Sequence, residues 1–416
     1  MLELEKKEKE SRSIVLKEQE LFEMKYKSNI WKSYLFHLLM GAHFMSGIIT
    51  IFFMTWGNLS FIEIMYLQSY FWIMILLFEI PCGAISDYFS RRFSLFLGGI
   101  STAIAAIVYS TIPHIGIFIL AETLWAFGEA LVSGTNSAMI YDTLKILDRE
   151  EEMAKISGRN TSFFVAGIGI AAPIGSLLTL YIPIQYTFTI MFFPFVIGAI
   201  IALTLKEPNH DLRKESVKSE SYIKVIKSGL KELKQNKNLR ILAFDQVIVE
   251  GLIFLVFWTY QPYLGELGVL IVFFGFISSA MTVMQVLFIN LVPKMIKKVN
   301  NKKRFLMIYT IIPGIAFVLL AIIRIPIVSI ILFMIIVGFG ISRSLIYVTG
   351  VNKIIKTDNR ATVLSTINMM ATFIKAILFP ITGYLVMSGL SMAFIILGSV
   401  MVLLALFSRV KNEYLI

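Results

Sequence analysis

Gly83-Ala84-Ile85-Ser86-Asp87-Tyr88-Phe89-Ser90-Arg91-Arg92 closes one long apolar stretch, residues 62–84, and leads into the next, residues 93–112. Its aspartate and two arginines are too costly for hydrocarbon, whereas each flanking stretch has about the 20 apolar residues that cross roughly 30 Å of lipid. The chain leaves a bilayer here, turns, and re-enters it. Outward from this turn the pattern repeats, giving spans at 33–56, 62–84, 93–112, 116–142, 159–182, 185–205, 239–263, 268–293, 305–323, 326–349, 362–387 and 390–410. Composition agrees, with 57% hydrophobic residues, 16% charged residues and a mean hydropathy of +0.78. That is more apolar surface than one soluble core can hide. The expected fold is an all-α membrane protein of twelve transmembrane helices.

A net charge of +11 raises nucleic acid as a partner, but the placement of the charges argues against it. Of 38 Lys and Arg, 35 lie in the tail, the C-terminus, alternate connections or the span ends that adjoin them, all on one side of the expected bundle. We call this side the basic face. Positive charge is retained in the cytoplasm during insertion, so both termini are expected there, in a multi-pass protein of the cell membrane. The divisions read as a charged cytoplasmic tail (1–32), a first six-helix bundle (33–205), a cytoplasmic connection (206–238), a second six-helix bundle (239–410) and a C-terminal segment (411–416). The tail lacks the apolar centre of a cleaved signal peptide. In the long connection Tyr222, Ile223, Ile226, Leu230 and Leu233 recur at helical spacing among lysines, which suggests an amphipathic helix on the inner membrane surface or a solvated linker helix. An offset of 212 superposes Pro81 on Pro293, Arg92-Phe93 on Arg304-Phe305 and Phe127-Gly128 on Phe339-Gly340. Two pseudo-symmetric halves follow from that repeat.

The spacing of Gly83, Asp87, Arg91 and Arg92 resembles the signature loop of the major facilitator superfamily, G-x-x-x-D-x-x-G-R-R/K. Ser90 stands where that family prefers Gly, and Tyr88 where it often has a basic residue. The resemblance implies halves that rock about a central cavity lined by spans 1, 2, 4, 5, 7, 8, 10 and 11. It also implies a latch, in which Asp87 faces the positive end of the dipole of the eleventh span. On physical grounds Gly83 permits close helix approach, and Arg91 and Arg92 can supply the positive partner that Asp87 needs. Asp142, at the end of the fourth span, is expected to pair with Arg91 or Arg92 and extend the latch. The second half has Val299 opposite Asp87, so the latch is single-sided. Phe78-Glu79-Ile80-Pro81-Cys82-Gly83, with Gly128-Glu129, Ser133-Gly134 and Tyr141-Asp142, looks like a large group of bacterial efflux facilitators. Gly167, Gly169, Ala172-Pro173 and Gly175 are similar to the antiporter motif of drug exporters, with Ala172 in place of a Gly. The fourth-span Arg common in those exporters is absent.

Ionisable groups within the spans are the candidate working parts, because each needs water or a partner. Glu129, Glu250 and Lys375 lie near mid-span, and Asp245 and Arg343 lie nearer the basic face. Matched depth pairs Glu250 with Lys375 and Asp245 with Arg343, either for transport or as glue between helices. Glu129 has no basic partner in its own half and is the first candidate to carry a proton; the alternative is a glutamate hydrogen-bonded to a neighbouring helix. Glu122 lies seven residues earlier on the same face and is the second. Glu63 follows Ser60 at capping-box spacing. His43, Trp72, Phe163, Phe164, Trp258, Met281, Met284 and Met369 fall on cavity-type spans, where aromatic and methionine walls suit apolar ligands and core packing alike.

No phosphate-binding loop occurs, and four His with one Cys leave no metal or haem site, so neither a cofactor nor an enzyme is expected. The sequence reads as a secondary transporter, acting as a monomer, that exports small amphipathic or cationic molecules in exchange for protons. Proton-coupled import of a nutrient is the alternative. A transporter-like sensor or lipid-handling protein, with the charged tail as a docking arm, is a third reading.

Overall fold

Residues 23–207, 222–355 and 360–415 are described by the computed structural model, and helices occupy most of them. Ten helices among these residues are long and apolar enough to cross a membrane, from Phe61–Ser86 to Thr362–Val386. The last span is a shorter apolar helix, Leu390–Leu406. The first is helical over residues 23–40, open over 41–48 and helical again over Ile49–Thr55. Together they make the twelve spans.

Two departures from the sequence reading have local causes. The first helix begins by residue 23, ten residues before the apolar stretch, because its early turns are polar and stabilised by pairs such as Lys27 Nζ to Glu23 Oε2 at 2.7 Å. The connection between halves contains a helix, Tyr222–Gln235, that docks on protein at its C-terminal end. There Leu233 is buried and Gly229 lies against Thr366 of the eleventh span, while Leu230 stays exposed. The side chains of Tyr222, Ile223 and Ile226 lie outside the described residues, as do residues 1–22 of the tail. At the start of the second span, Ser60 and Glu63 form the capping box, with the Ser60 amide donating to Glu63 Oε2 at 2.8 Å.

Within the first half, the third span packs on the fourth and sixth, and the second on the fourth. Within the second half, the ninth packs on the twelfth and the eighth on the tenth. The halves meet where the second span faces the eleventh, the fifth faces the eighth and the first faces the seventh. Small residues make these contacts close, as expected where lipid supplies no hydrophobic drive between helices. Gly47 lies against Gly275, and Gly275 against the Ala172 carbonyl. Ser69 Oγ donates to the Ala376 carbonyl at 2.6 Å, Ser176 Oγ to the Val272 carbonyl at 2.9 Å and Ser279 Oγ to the Gly169 carbonyl at 2.6 Å. Gln261 Oε1 accepts from the Thr50 amide at 2.8 Å, and Tyr260 donates to the Gly47 carbonyl at 3.1 Å.

Among the described residues, these cross-half bonds all lie from mid-depth toward the face opposite the basic one. At the basic-face ends of the second, fourth and fifth spans, a Cβ added to Gly83, Gly134 or Gly158 would meet open space. Gly83 therefore makes no close helix approach in this conformation, contrary to the role expected from the sequence. Among the described residues the bundle is closed on one side and parted at the basic face, and no described helix lies against Gly83.

The fifth span packs even more tightly on the broken first span. A Cβ at Gly175 would collide with the Phe44 carbonyl, and one at Gly167 with the Leu38 carbonyl. Gly175→Val is accordingly expected to cost about 1–3 kcal/mol of folded stability. A lower unfolding temperature in detergent would register it, and an unchanged one would show that the spans can separate freely.

Candidate functional site

A cavity of about 530 Å³ lies between the halves at mid-depth. This is within the range that accommodates a small organic ligand. Its walls differ in chemistry. The first half contributes His43, Ser46 and Ile49 from the broken span, with Val165 and Ile168 from the fifth. The second half contributes every charge: Glu250, Lys375 and Arg343. Gln246 sits one helical turn before Glu250, and Phe254, Phe257 and Trp258 continue that wall as an aromatic surface. Ser278, Thr282 and Gln285 add a polar stripe from the eighth span. Their spacings of four and three place them on one helical face.

Glu250 and Lys375 face each other loosely. Lys375 Nζ is 3.6 Å from Glu250 Oε1, longer than a good charge-assisted hydrogen bond. The ammonium also lies 4.6 Å from the centre of the Trp72 ring and 4.8 Å from that of Phe254, within cation–π range of both. The Lys375 side chain is 12% exposed and that of Glu250 is 37% exposed. Two rings thus hold the cation while the carboxylate projects into the cavity with bonding capacity to spare.

Asp245 and Arg343 form a different kind of pair. Arg343 bonds directly to Asp245 Oδ1, which also accepts from the Tyr347 hydroxyl. Ser408 donates to the other carboxylate oxygen at 2.9 Å, and Arg343 Nε donates to Thr310 at 2.7 Å. The guanidinium lies 4.8 Å over the Tyr347 ring. This network is well satisfied and ties together the seventh, ninth and tenth spans and the segment after the twelfth.

At the basic face of the first half, Arg91 pairs with Asp142 and also donates to the Ala138 carbonyl. Glu207, just past the sixth span, accepts from the backbone amides of Arg91 at 2.8 Å and Arg92 at 3.1 Å. It closes the start of the third helix, a role the sequence reading missed because no local spacing links Glu207 to Arg91. The Arg92 side chain is exposed. The Asp87 side chain lies outside the described residues.

Several sequence candidates are placed away from the cavity. Glu122 is buried between helices of the first half, where Gln68 Nε2 donates to it at 2.6 Å and Tyr109 also bonds to it. Both partners are neutral groups of the first half, and Glu122 is not a wall residue of the cavity. Glu129 is half-buried, beside Trp125, and is not a wall residue. Of the aromatic and methionine candidates, only His43 and Trp258 line the cavity. Trp72 acts through Lys375. Phe163 stacks on Tyr34 at 5.1 Å, and Phe164 meets the His43 ring edge-on at 5.7 Å. Met281 is fully buried in the core and Met284 packs toward Gly338, both turned off the face that carries Thr282. Met369 is half-buried on the eleventh span, outside the wall.

Comparison with known proteins agrees with this architecture. A stretch of 223 residues is 23% identical to the uncharacterised MFS-type transporter YxaM of Bacillus subtilis (strain 168). It covers 50% of this chain and 52% of that protein, so the match spans about half the length of the curated relative. Among solved structures, the nucleoside transporter NupG superposes with a TM-score of 0.73 at 16% identity, covering 92% of this chain and 97% of that one. A D-xylose-proton symporter gives 0.72 at 16% identity, over 95% and 99% of the two chains. A bacterial homologue of the human lysosomal transporter Spinster, inward-facing and unoccupied, gives 0.69 at 16% identity over 94% and 96%. At such identities the likeness is one of fold. Residues 33–372 match the family model described as Major Facilitator Superfamily. With twelve spans, two halves and a cavity between them, the chain belongs to the major facilitator superfamily of membrane transporters.

Proposed function

We propose that this protein is a proton-coupled secondary transporter that exports small amphipathic or cationic organic solutes across the cell membrane, its basic face in the cytoplasm. The observation that carries this reading is Glu250, a carboxylate projecting into the mid-depth cavity between the halves while its lysine partner is held by two aromatic rings. A solute bearing a cationic group has an anion to bind and the Phe254, Phe257 and Trp258 surface for its apolar part. A proton arriving at Glu250 from the other side competes with that solute, which links release to proton entry. Alternation between the two openings is rocking of the halves about the second–eleventh and fifth–eighth contacts. Gly83, Asp87, Arg91, Arg92 and Asp142 form the latch that closes the basic face in the opposite state.

A second reading, proton-coupled uptake of a nutrient or metabolite, draws support from the fold likeness to a D-xylose-proton symporter. Purified protein in proteoliposomes, given a panel of radiolabelled organic cations and neutral metabolites under an imposed pH gradient, separates the two. Export predicts movement of cations against the proton flow that collapses with a protonophore. Co-directional movement of neutral solutes supports uptake, and no gradient-dependent movement of any solute defeats both.

Glu129 remains the candidate proton site of the first half. Glu129→Gln is expected to lower gradient-driven flux about 100-fold or more and to flatten its pH profile, the scale on which proton-transfer groups act. Flux and profile identical to the unmodified protein would remove Glu129 from the cycle.

A further inference from the structure

The first span has no helix over residues 41–48, at the mid-depth of the bundle. Such backbone is tolerated within a membrane only where it is buried in protein or lines a wet cavity. Both conditions hold here. Behind the segment, Gly167 and Gly175 bring the fifth span against its carbonyls. In front, His43, Met45, Ser46 and Ile49 face the cavity.

Two polar side-chain atoms on this segment, His43 Nε2 and Ser46 Oγ, are buried with no hydrogen-bond partner. The charged cavity groups are paired by contrast, Glu250 with Lys375 and Arg343 with Asp245. His43 has little freedom to find a partner within the protein. Trp125, Phe164 and Phe195 meet its ring edge-on at 5.4, 5.7 and 5.8 Å. In the neutral tautomer that carries its proton on Nδ1, Nε2 is an acceptor. Three residues on, the Ser46 hydroxyl is a free donor. Unpaired buried groups of this kind are costly, and a ligand that pairs them recovers the cost.

The geometry points to a hydrogen-bonding subsite at His43 and Ser46 that takes a hydroxyl group of the transported solute, opposite the carboxylate of Glu250 on the other half. A hydroxyl is the smallest group that donates to Nε2 and accepts from Ser46 at once; an ether or a carboxylate has no proton to give. The solute class is then a hydroxylated organic amine, with its ammonium at Glu250 and its apolar body against Phe254 and Trp258. This deepens the transport reading above and rests on it. Each half holds one end of the solute, so binding spans the interface that must rock.

The test is calorimetric binding to the purified full-length protein with two matched pairs of probes. One pair is 2-phenylethylamine and 2-amino-1-phenylethanol, which differ by one hydroxyl at equal charge. The other is neutral, phenylacetamide and mandelamide. The unmodified protein is expected to bind the hydroxylated amine at least about tenfold more tightly than its partner, as sites built to bond a hydroxyl do. The double variant His43→Phe, Ser46→Ala should bring that ratio to about one, and His43→Gln with Ser46 intact should restore part of it, since the amide keeps an acceptor. Because the readout is a ratio, a general loss of folded protein cancels. Equal affinities in the unmodified protein, or a preference that survives in the double variant, overturn the subsite. If only the amide pair binds and its hydroxyl preference depends on His43 and Ser46, the subsite stands and the amine end falls. Binding of neither pair overturns both.

Discussion

Glu250→Gln is expected to abolish pH-gradient-driven accumulation of cationic solutes in proteoliposomes while leaving the protein folded. The amide is close in size to the carboxylate, but it neither binds a proton nor carries a charge. A ligand ammonium therefore loses a charge-assisted hydrogen bond of about 1.5–3 kcal/mol, which is about 10- to 150-fold in affinity. Folding should survive because the site is already partly open: Glu250 is 37% exposed, and Lys375 retains the Trp72 and Phe254 rings at 4.6 and 4.8 Å. Adding Lys375→Met to Glu250→Gln removes the cation left without its anion, and should raise thermal stability relative to the single variant without restoring coupled transport. Calorimetry for binding and tracer uptake for coupling read the two effects separately. Accumulation persisting in Glu250→Gln would move proton coupling elsewhere, with Glu129 the first alternative.

The twelve spans were legible because each is a predominantly apolar run, and a bilayer sets its length regardless of tertiary contacts. The break at 41–48 was not, since a hydropathy window averages across Gly41, His43, Ser46 and Gly47 and still reports an apolar stretch. The cavity was only partly legible. Depth along the spans matched Glu250 to Lys375 and Asp245 to Arg343, and in the structure each pair is in contact. Rotation about the helix axis is what depth does not carry. That is why Met281, one residue from Thr282, was read as wall and lies in the core. The stripe Ser278, Thr282, Gln285 offered the missing information, being the polar face of an otherwise apolar helix. The partner of Glu122 was illegible for a related reason: Gln68 is neutral and distant in sequence, so no charge pattern announced it.

Asp245→Ala is expected to be among the most damaging single changes to folding, at about 3–5 kcal/mol, because it strands a guanidinium in a low-dielectric interior. The Arg343 side chain is 4% exposed and that of Asp245 is 11% exposed, so water replaces the lost partner poorly. Tyr347 and Ser408 would also lose their acceptor. Arg343→Met should be similarly harmful, since it leaves the carboxylate buried with only two hydroxyls. The double variant Asp245→Leu, Arg343→Met removes both charges at comparable volume and is expected to recover most of the folded, monodisperse protein. Size-exclusion profiles and unfolding temperatures in detergent measure this. Recovery of folding without recovery of transport would give the network a part in the cycle. The geometry makes that a distinct outcome: Arg343 also borders the cavity and sits at the junction of helices Pro326–Ser342 and Ser344–Ile354, where the tenth span could bend. If Asp245→Ala folds as well as the unmodified protein, the pair is not structural glue, and its satisfied hydrogen bonds serve the transport cycle alone.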